Sequence, residues 1–329
     1  MDLPLVAVVL AGGQGTRLYP ASSPDRPKQH LSFGDDRSLL TRTVDRTGFA
    51  EETYVLTRPA YVDDVRDHAP AAGVLTEPEP RDTGPALVYA AHRIHEQIGD
   101  CVMLSLPSDH YVAGDFATTA RTAARVAAET EGLVTVGVEP SRPATGYGYI
   151  EPGEQPNGFA RVAQFVEKPD EDTAKAYVEA GHYWNAGIFA WTPTALLDAA
   201  RDTPLEPLVD ALDDGEPERG FGDVESVSID YAVLERADDV FVVPASFEWD
   251  DLGSWDAVGR VLDSDSDGTV ILGDGLTIDA SDCVLASDGH VSVVGVDGLV
   301  VASYDGKTLV VPREQSQRVR EVVAQLDEE

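Results

Sequence analysis

LVAVVLAGGQGTRLYP, residues 5–20, decides the architecture. An apolar run of β-forming residues ends in three closely spaced glycines and an arginine, and Lys28 follows eleven residues after Arg17. A buried strand that opens onto a glycine turn begins an α/β sheet and lays main-chain N–H groups bare for an anion. Two common phosphate loops are excluded. A Walker loop ends Gly-Lys-Ser/Thr, whereas this one ends Gly15-Thr16-Arg17, and a dinucleotide fingerprint places a third glycine where Leu18 stands. Arg17 supplies a planar fork for phosphate oxygens and Lys28 a point charge. Two separate cations with main-chain donors suit a polyphosphate that reacts. A tight turn carrying surface cations is the competing explanation of the loop by itself.

Outward from the loop, apolar runs alternate with helical patterns. Residues 53–57, 73–77, 101–107 and 133–138 read as further strands, and 85–98 and 115–132 as alanine-rich helices. Such alternation predicts a mainly parallel sheet covered on both faces. Strands at 161–169 and 186–191 follow, with helices over 170–180 and near 228–237. After DSDSDG (263–268) the texture changes to short β runs between Gly/Asp turns, closed by a helical stretch at 313–326. The expected organisation is a large domain over 1–263 and a small β-rich, β-helix-like module over 264–329 that docks on the main domain rather than folding alone.

Composition narrows the function. Asp and Glu number 59 against 24 Lys and Arg, a net charge of −35. A surface this acidic repels nucleic acid and anionic membranes. There is no apolar run near ~20 residues, and the first residues lack the basic n-region of a signal peptide. Two cysteines are too few for a disulfide framework. These features point to a cytoplasmic protein. Acid spread along the whole chain, with lysine at positions 28, 168, 175 and 307 only, suggests a cytoplasm of very high salt. Where lysine is avoided on the surface, each remaining lysine has a stronger claim to a task.

The glycine loop does not stand alone. AGGQGTRLYP and PKQ are followed in order by EPEPRDTGPA (77–86), PSDHY (107–111), TGYGYIE (145–151), FVEKPD (165–170), WNAGIF (184–189), SIDYAVLE (228–235) and WDDLGSW (249–255). As a set, these resemble the mannose-1-phosphate guanylyltransferases of the sugar-phosphate nucleotidyltransferase family, from residue 7 to about 258. The tail resembles that family's short β-rich C-terminal region. Four positions depart from the usual pattern: Asp82 for Asn, Gly84 for Ala, Tyr19 for Trp and Ala186 for Ser.

The resemblance implies a Rossmann-like nucleotide-diphospho-sugar transferase domain. It implies Mg²⁺-dependent transfer of GMP from GTP to mannose 1-phosphate, giving GDP-mannose and pyrophosphate by in-line attack on the α-phosphorus. Catalysis of that kind is mainly positioning and charge neutralisation. By resemblance, Arg17, Lys28 and Lys168 are the catalytic cations. Leu10, Gly12, Gly13, Gly15 and Thr16 would take the nucleotide, with Glu77 accepting from the two adjacent donors of guanine and Arg81 and Thr83 on base or ribose. Gly148, Glu167 and Asn185 would face the sugar. Asp109 and Asp251 would be the metal ligands, hard oxygens of the kind Mg²⁺ takes. Asp250 and Asp251 are adjacent, and the family pattern favours Asp251. The resemblance also admits a homo-oligomer.

Alternatives stay open: another base and sugar, such as dTTP or UTP with glucose 1-phosphate, or a silent nucleotide-sugar-binding regulator. A nicotinamide oxidoreductase lacks its third glycine. The DSDSDG stretch matches much of a calcium loop, but Asp274 stands where Glu is needed and a strand follows. An acidic linker explains it better. His92 and His95 share a helix face without a third ligand nearby in sequence, and the imidazole of His110 does not suit a hard Mg²⁺ site.

Overall fold

The computed structural model describes residues 3–13, 15–154 and 158–327. Gln14 of the glycine loop lies outside them. In chain order the first elements are β1 (Leu5–Leu10), α1 (Leu39–Arg46), β2 (Glu52–Thr57), α2 (Val62–His68), β3 (Gly73–Thr76), α3 (Thr83–Ile98) and β4 (Val102–Pro107). Next come β5 (Tyr111–Gly114), α4 (Phe116–Thr130), β6 (Leu133–Val138), β7 (Tyr149–Pro152), β8 (Ala160–Val166), α5 (Glu171–Glu179) and β9 (Tyr183–Trp191). Three short helices, α6 (Pro193–Arg201), α7 (Glu206–Asp213) and α8 (Pro217–Asp223), precede β10 (Val240–Pro244) and β11 (Phe247–Asp250). The chain ends with α9 (Trp255–Val261), β12 (Val270–Ile278), β13 (Val284–Val294), β14 (Leu299–Tyr304), β15 (Lys307–Pro312) and α10 (Val319–Asp327).

These elements form two compact units, and neither is a single stretch of chain. The first comprises residues 1–12, 44–107 and 112–249; the second comprises 13–43, 108–111 and 250–329. The first unit holds a nine-stranded sheet in the order β3-β2-β1-β4-β9-β6-β10-β8-β7. Leu5–Val9 of β1 are all buried, as expected for a strand covered on both faces. β3, β2, β1 and β4 run parallel, and β6 is parallel to β10. β9 is antiparallel to both β4 and β6, and β7 and β8 are also antiparallel to their neighbours. The sheet is therefore mixed. A continuous apolar run reports burial but carries no sign of direction, so periodicity alone could not show that β9 reverses. The core combines this sheet with α3, α6 and α7 through Leu87, Ile94, Trp191, Leu196 and Leu208, each worth ~1.5–3 kcal/mol when fully buried.

The helix expected near 228–237 is a π-type turn, Asp230–Leu234, closed by Glu235 N donating to Asp230 O at 2.9 Å. The wider turn follows an anchored segment. Ile229 N donates to Thr83 Oγ1 (3.0 Å), Gly84 N to Val227 O (3.0 Å) and Val227 N to Arg81 O (3.3 Å). A Cβ on Gly84 would stand 2.6 Å from the Val227 carbonyl oxygen, so this close approach requires glycine.

In the second unit, β12, β13 and β14 stack in parallel register: Val270 beside Val284 beside Val300, and Leu272 beside Ala286 beside Ala302. β15 returns antiparallel on β14. The short runs read from sequence on either side of Gly273 and of Asp288-Gly289 are joined into single long strands. Val284, Ala286, Val300, Ala302 and Leu309 pack with Leu18, Ala21, Phe33, Leu252 and Trp255 in one core. The glycine-loop segment thus shares its core with the C-terminal module. Arg313 adds ion pairs to Asp256 (3.2 Å) and Asp282.

Candidate active site

In the first unit, the residues expected at the base follow the carboxyl ends of parallel strands, where α/β sheets place their ligands. Leu10 ends β1 in register with Leu56 of β2. Gly12 follows it, and its carbonyl accepts from Arg58 Nη2. Glu77 follows β3, anchored by its N–H to Thr57 O at 2.9 Å, and is only 5% exposed. A Cβ on Gly12 would lie 2.9 Å from Glu77 Oε1, so glycine lets this carboxylate sit against the loop. Burial pushes the Glu77 carboxyl up to about 7, against the opposing charge of Arg58. Arg81 pairs with Glu79 at 2.9 Å and reaches Val224 O at 3.3 Å. Thr83 spends its hydroxyl oxygen on Ile229 N, and Asp82 caps α3 by accepting from Thr83 N at 2.7 Å.

The residues expected at the sugar also belong to this unit, and they converge. Asn185 N donates to Gly148 O (2.8 Å). A Cβ on Gly148 would fall 2.4 Å from Glu167 Oε2 and 3.4 Å from Asn185 Cβ, so glycine leaves the space that the Glu167 carboxylate occupies. The Glu167 side chain is 8% exposed and pairs through Oε1 with Lys168 Nζ at 2.7 Å. Lys168 has left-handed backbone (φ 49°), held by its N–H to Tyr147 O at 3.2 Å. Burial would lower its ammonium pKa, but the Glu167 carboxylate outweighs that and raises it. Tyr147, Trp184 and Trp249 pack edge to face or tilted, with centroids 5.0–6.4 Å apart, and the Arg142 guanidinium lies 5.2 Å from the Trp184 ring centroid.

Asp230 joins the same cluster. Its Oδ1 accepts from Asn185 Nδ2 at 2.8 Å. Burial, reinforced by the Glu167 charge, pushes its carboxyl up to about 7.

The second unit carries the rest of the glycine loop with Arg17 and Lys28, and the two expected metal ligands. Gly13 is exposed, and Gly15 (φ 62°, ψ 43°) turns the chain into the 3₁₀ segment Thr16–Leu18, with its carbonyl accepting from Ser22 Oγ at 2.8 Å. A Cβ on Gly15 would lie 2.3 Å from Lys28 Cβ. Thr16 is half-buried and Arg17 is exposed; Leu18 behind them is fully buried. Lys28 is 5% exposed. Its Nζ donates to Asp109 Oδ2 at 2.8 Å and to the Asp251 carbonyl at 2.5 Å. Lys28, Asp109 and Asp251, expected from separate motifs, are therefore brought together. Burial pushes the Asp109 carboxyl up, but the Lys28 ammonium and His110 overcome it and hold the group below the usual carboxylate range. Asp250 is engaged elsewhere, accepting from Leu252 N (2.9 Å) and pairing with Arg260 (2.9 Å). Asp251 Oδ1 accepts from Gly253 N at 3.0 Å.

Residue-level reading missed Arg58, Asp230 and the aromatic group around Arg142. Asp230 had a signal, since it stands inside SIDYAVLE. Arg58 had none: its link to Gly12 spans 46 residues and no motif.

Residues 6–267 match the family described as nucleotidyl transferase, and residues 273–326 match the MannoseP isomerase/GMP-like beta-helix domain. The chain is 35% identical to the alginate biosynthesis protein AlgA of Pseudomonas putida, over 99% of this chain and 72% of that one. It is 34% identical to the mannose-1-phosphate guanylyltransferase of Escherichia coli, over 97% and 73%. A Thermus thermophilus crystal structure described as a mannose-1-phosphate geranyltransferase superposes with a TM-score of 0.93 at 35% identity, covering 99% of this chain and all of that one. The glycine loop after β1, the stacked strands of the tail and these likenesses lead to one assignment: the chain belongs to the nucleotidyl transferase family and carries a MannoseP isomerase/GMP-like beta-helix domain after it.

Proposed function

We propose that this protein transfers GMP from GTP to mannose 1-phosphate and releases pyrophosphate. The observation that carries the reading is the likeness, along nearly the whole chain, to the Escherichia coli mannose-1-phosphate guanylyltransferase. The local chemistry supports it. Glu77 offers paired acceptor oxygens to the two adjacent donors of guanine, and the glycine loop offers main-chain donors to phosphate. Arg17 and Lys28 neutralise the triphosphate, and Lys168 holds the phosphate of the sugar. Glu167 and Asn185 take sugar hydroxyls. The attacking oxygen is already on the substrate, so the protein's task is to align two polyanions.

The residues fit a divalent cation. Asp109 is kept ionised despite its partial burial, and the main-chain carbonyl of Asp251 accepts from the same Lys28 ammonium, so the two residues that would hold the ion meet at one lysine. When bound there, Mg²⁺ would offset negative charge on the triphosphate. The chemistry and the absence of a long apolar helix among the described residues are compatible with a cytoplasmic enzyme working in high salt.

The test is a matrix of nucleoside triphosphates and sugar 1-phosphates at high KCl, with and without Mg²⁺, followed by pyrophosphate release. GTP with mannose 1-phosphate and Mg²⁺ should be the fastest pair, and Asp109→Ala or Asp251→Ala should abolish turnover. Faster turnover of glucose 1-phosphate with dTTP or UTP would replace this reading with its nearest rival.

A further inference from the structure

Asn185 is held by three partners that fix which way its amide faces. Gly187 N, which can only donate, lies 3.2 Å from Oδ1, and Thr135 Oγ1 lies 2.9 Å from the same oxygen. The Asp230 carboxylate lies 2.8 Å from Nδ2. The amide oxygen thus has both acceptor positions taken. One Nδ2 hydrogen goes to Asp230, and the other is the hydrogen-bonding capacity left on the side chain. Rotating the amide by half a turn would set its oxygen against the Asp230 carboxylate and its NH₂ against the Gly187 N–H, breaking both bonds at once.

We infer that Asp230 is a positioning residue for sugar recognition: it locks Asn185 as a hydrogen-bond donor, so that Asn185 reads an acceptor lone pair on a hexose oxygen. The inference rests on the reading of this cluster as the sugar site of a nucleotidyltransferase. Its surroundings agree with it. Gly148, Glu167 and Asn185 crowd together, and Glu167 is the acceptor in the group. With Glu167 accepting from one hydroxyl and Asn185 donating to another oxygen, the pocket presents opposite polarity at two points. Such a pair of fixed partners distinguishes epimers, because a hydroxyl that moves to the other face leaves its buried partner unpaired. Asp230 is itself anchored at the start of the π-type turn, and the preceding Ile229 N–H is bound to Thr83 Oγ1. Thr83 thus braces the segment that carries Asp230.

The experiment begins with wild-type kinetics on GTP and mannose 1-phosphate. If the wild type does not use that pair, the functional reading fails and the kinetic panel moves to the pair it does use. Asp230→Ala frees the amide and should raise the KM for the sugar phosphate about tenfold, the loss of one charge-assisted hydrogen bond, while the KM for GTP stays within about twofold. The preference for mannose 1-phosphate over glucose 1-phosphate should narrow. Asp230→Asn, whose amide oxygen can still accept from Asn185, should restore most of the loss. Thr135→Val removes a donor on the other side of the same amide and should shift the sugar KM in the same direction, which keeps the test open if Asp230→Ala does not fold. An unchanged sugar KM in Asp230→Ala and Thr135→Val, or equal rises in both substrate KM values with no rescue by Asn, would overturn the inference.

Discussion

Replacing Lys28 with methionine should destabilise the protein by an amount that depends on pH, and the sign of that dependence follows from Asp109. Methionine keeps the stem that packs under Gly15 and removes only the ammonium group. Two partners lose their donor, the Asp109 carboxylate at 2.8 Å and the Asp251 carbonyl at 2.5 Å. Breaking one side of a fully buried ion pair costs ~3–5 kcal/mol. Lys28 is buried, but the Asp109 side chain keeps 29% exposure, so water repays part of that cost. A loss of ~3 kcal/mol is expected at neutral pH, which at ~2 °C per kcal/mol for a large domain is a fall in Tm of about 6 °C. In the wild type the folded pKa of Asp109 is depressed, so its contribution is present above the unfolded pKa and is lost as pH falls through the folded one. In Lys28→Met, burial is opposed only by His110 and the main chain. The folded pKa then rises, and the variant regains stability as the carboxyl protonates. The deficit should be largest above about pH 5 and narrow toward about pH 4. Thermal melts at fixed KCl across that range would show it, and Lys28→Met/Asp109→Asn should recover part of the loss at neutral pH. A deficit that is flat with pH, or a double variant as unstable as the single one, would refute the reasoning.

Other outcomes can be checked with the same preparations. Burial raises Glu77 to about 7, and the guanine contact proposed for it uses the ionised carboxylate, so the KM for GTP should fall as pH rises from about 6 to about 8, and Glu77→Gln should remove that slope. Lys168→Met should raise the KM for the sugar phosphate at least about tenfold, from a charge-assisted contact worth ~1.5–3 kcal/mol, with the KM for GTP little changed; weakening of GTP alone would assign Lys168 to the other phosphate. Gly15→Ala should lower Tm by several degrees, because a φ of 62° and a Cβ 2.3 Å from Lys28 Cβ leave no room for a methyl group. Tm should rise steeply as KCl goes from ~0.1 M to ~2 M, as screening relieves a net charge of −35, and an unchanged Tm would argue against adaptation to high salt.

Much of this was legible in the residues because the signals were local. The run into Gly12 and Gly13, the helical patterns around Leu87 and Ala123, and the Gly/Asp-punctuated tail each announce their element within a short stretch of chain. Lys28, Asp109 and Asp251 could be named because each sits in a short motif, and lysine scarcity sharpened the choice of Lys28 and Lys168. Strand direction was not legible, since β9 looks the same reversed. Nor was the π-type turn, which follows Ile229, tied to Thr83 across 146 residues of chain. Arg58 and Asp230 escaped for the same reason: their meaning lies in a partner far along the chain.

The second unit is sewn from three separate stretches, 13–43, 108–111 and 250–329. Synthesis runs from the amino terminus, so Leu18, Ala21 and Phe33 emerge from the ribosome roughly 250–290 residues before Val284, Val300 and Leu309, their core partners. Until the last coil of the tail is made, the glycine-loop segment lacks most of the hydrophobic partners of its own unit. The first unit's sheet needs nothing beyond residue 249. A nascent chain halted near residue 260 would then hold a sheet that already sets Glu77 against Gly12 and Asn185 against Asp230, and a glycine loop still without its core. Packing of the loop segment therefore waits on the tail, and a frameshift there would strip the loop around Gly15 of its core without altering a single loop residue.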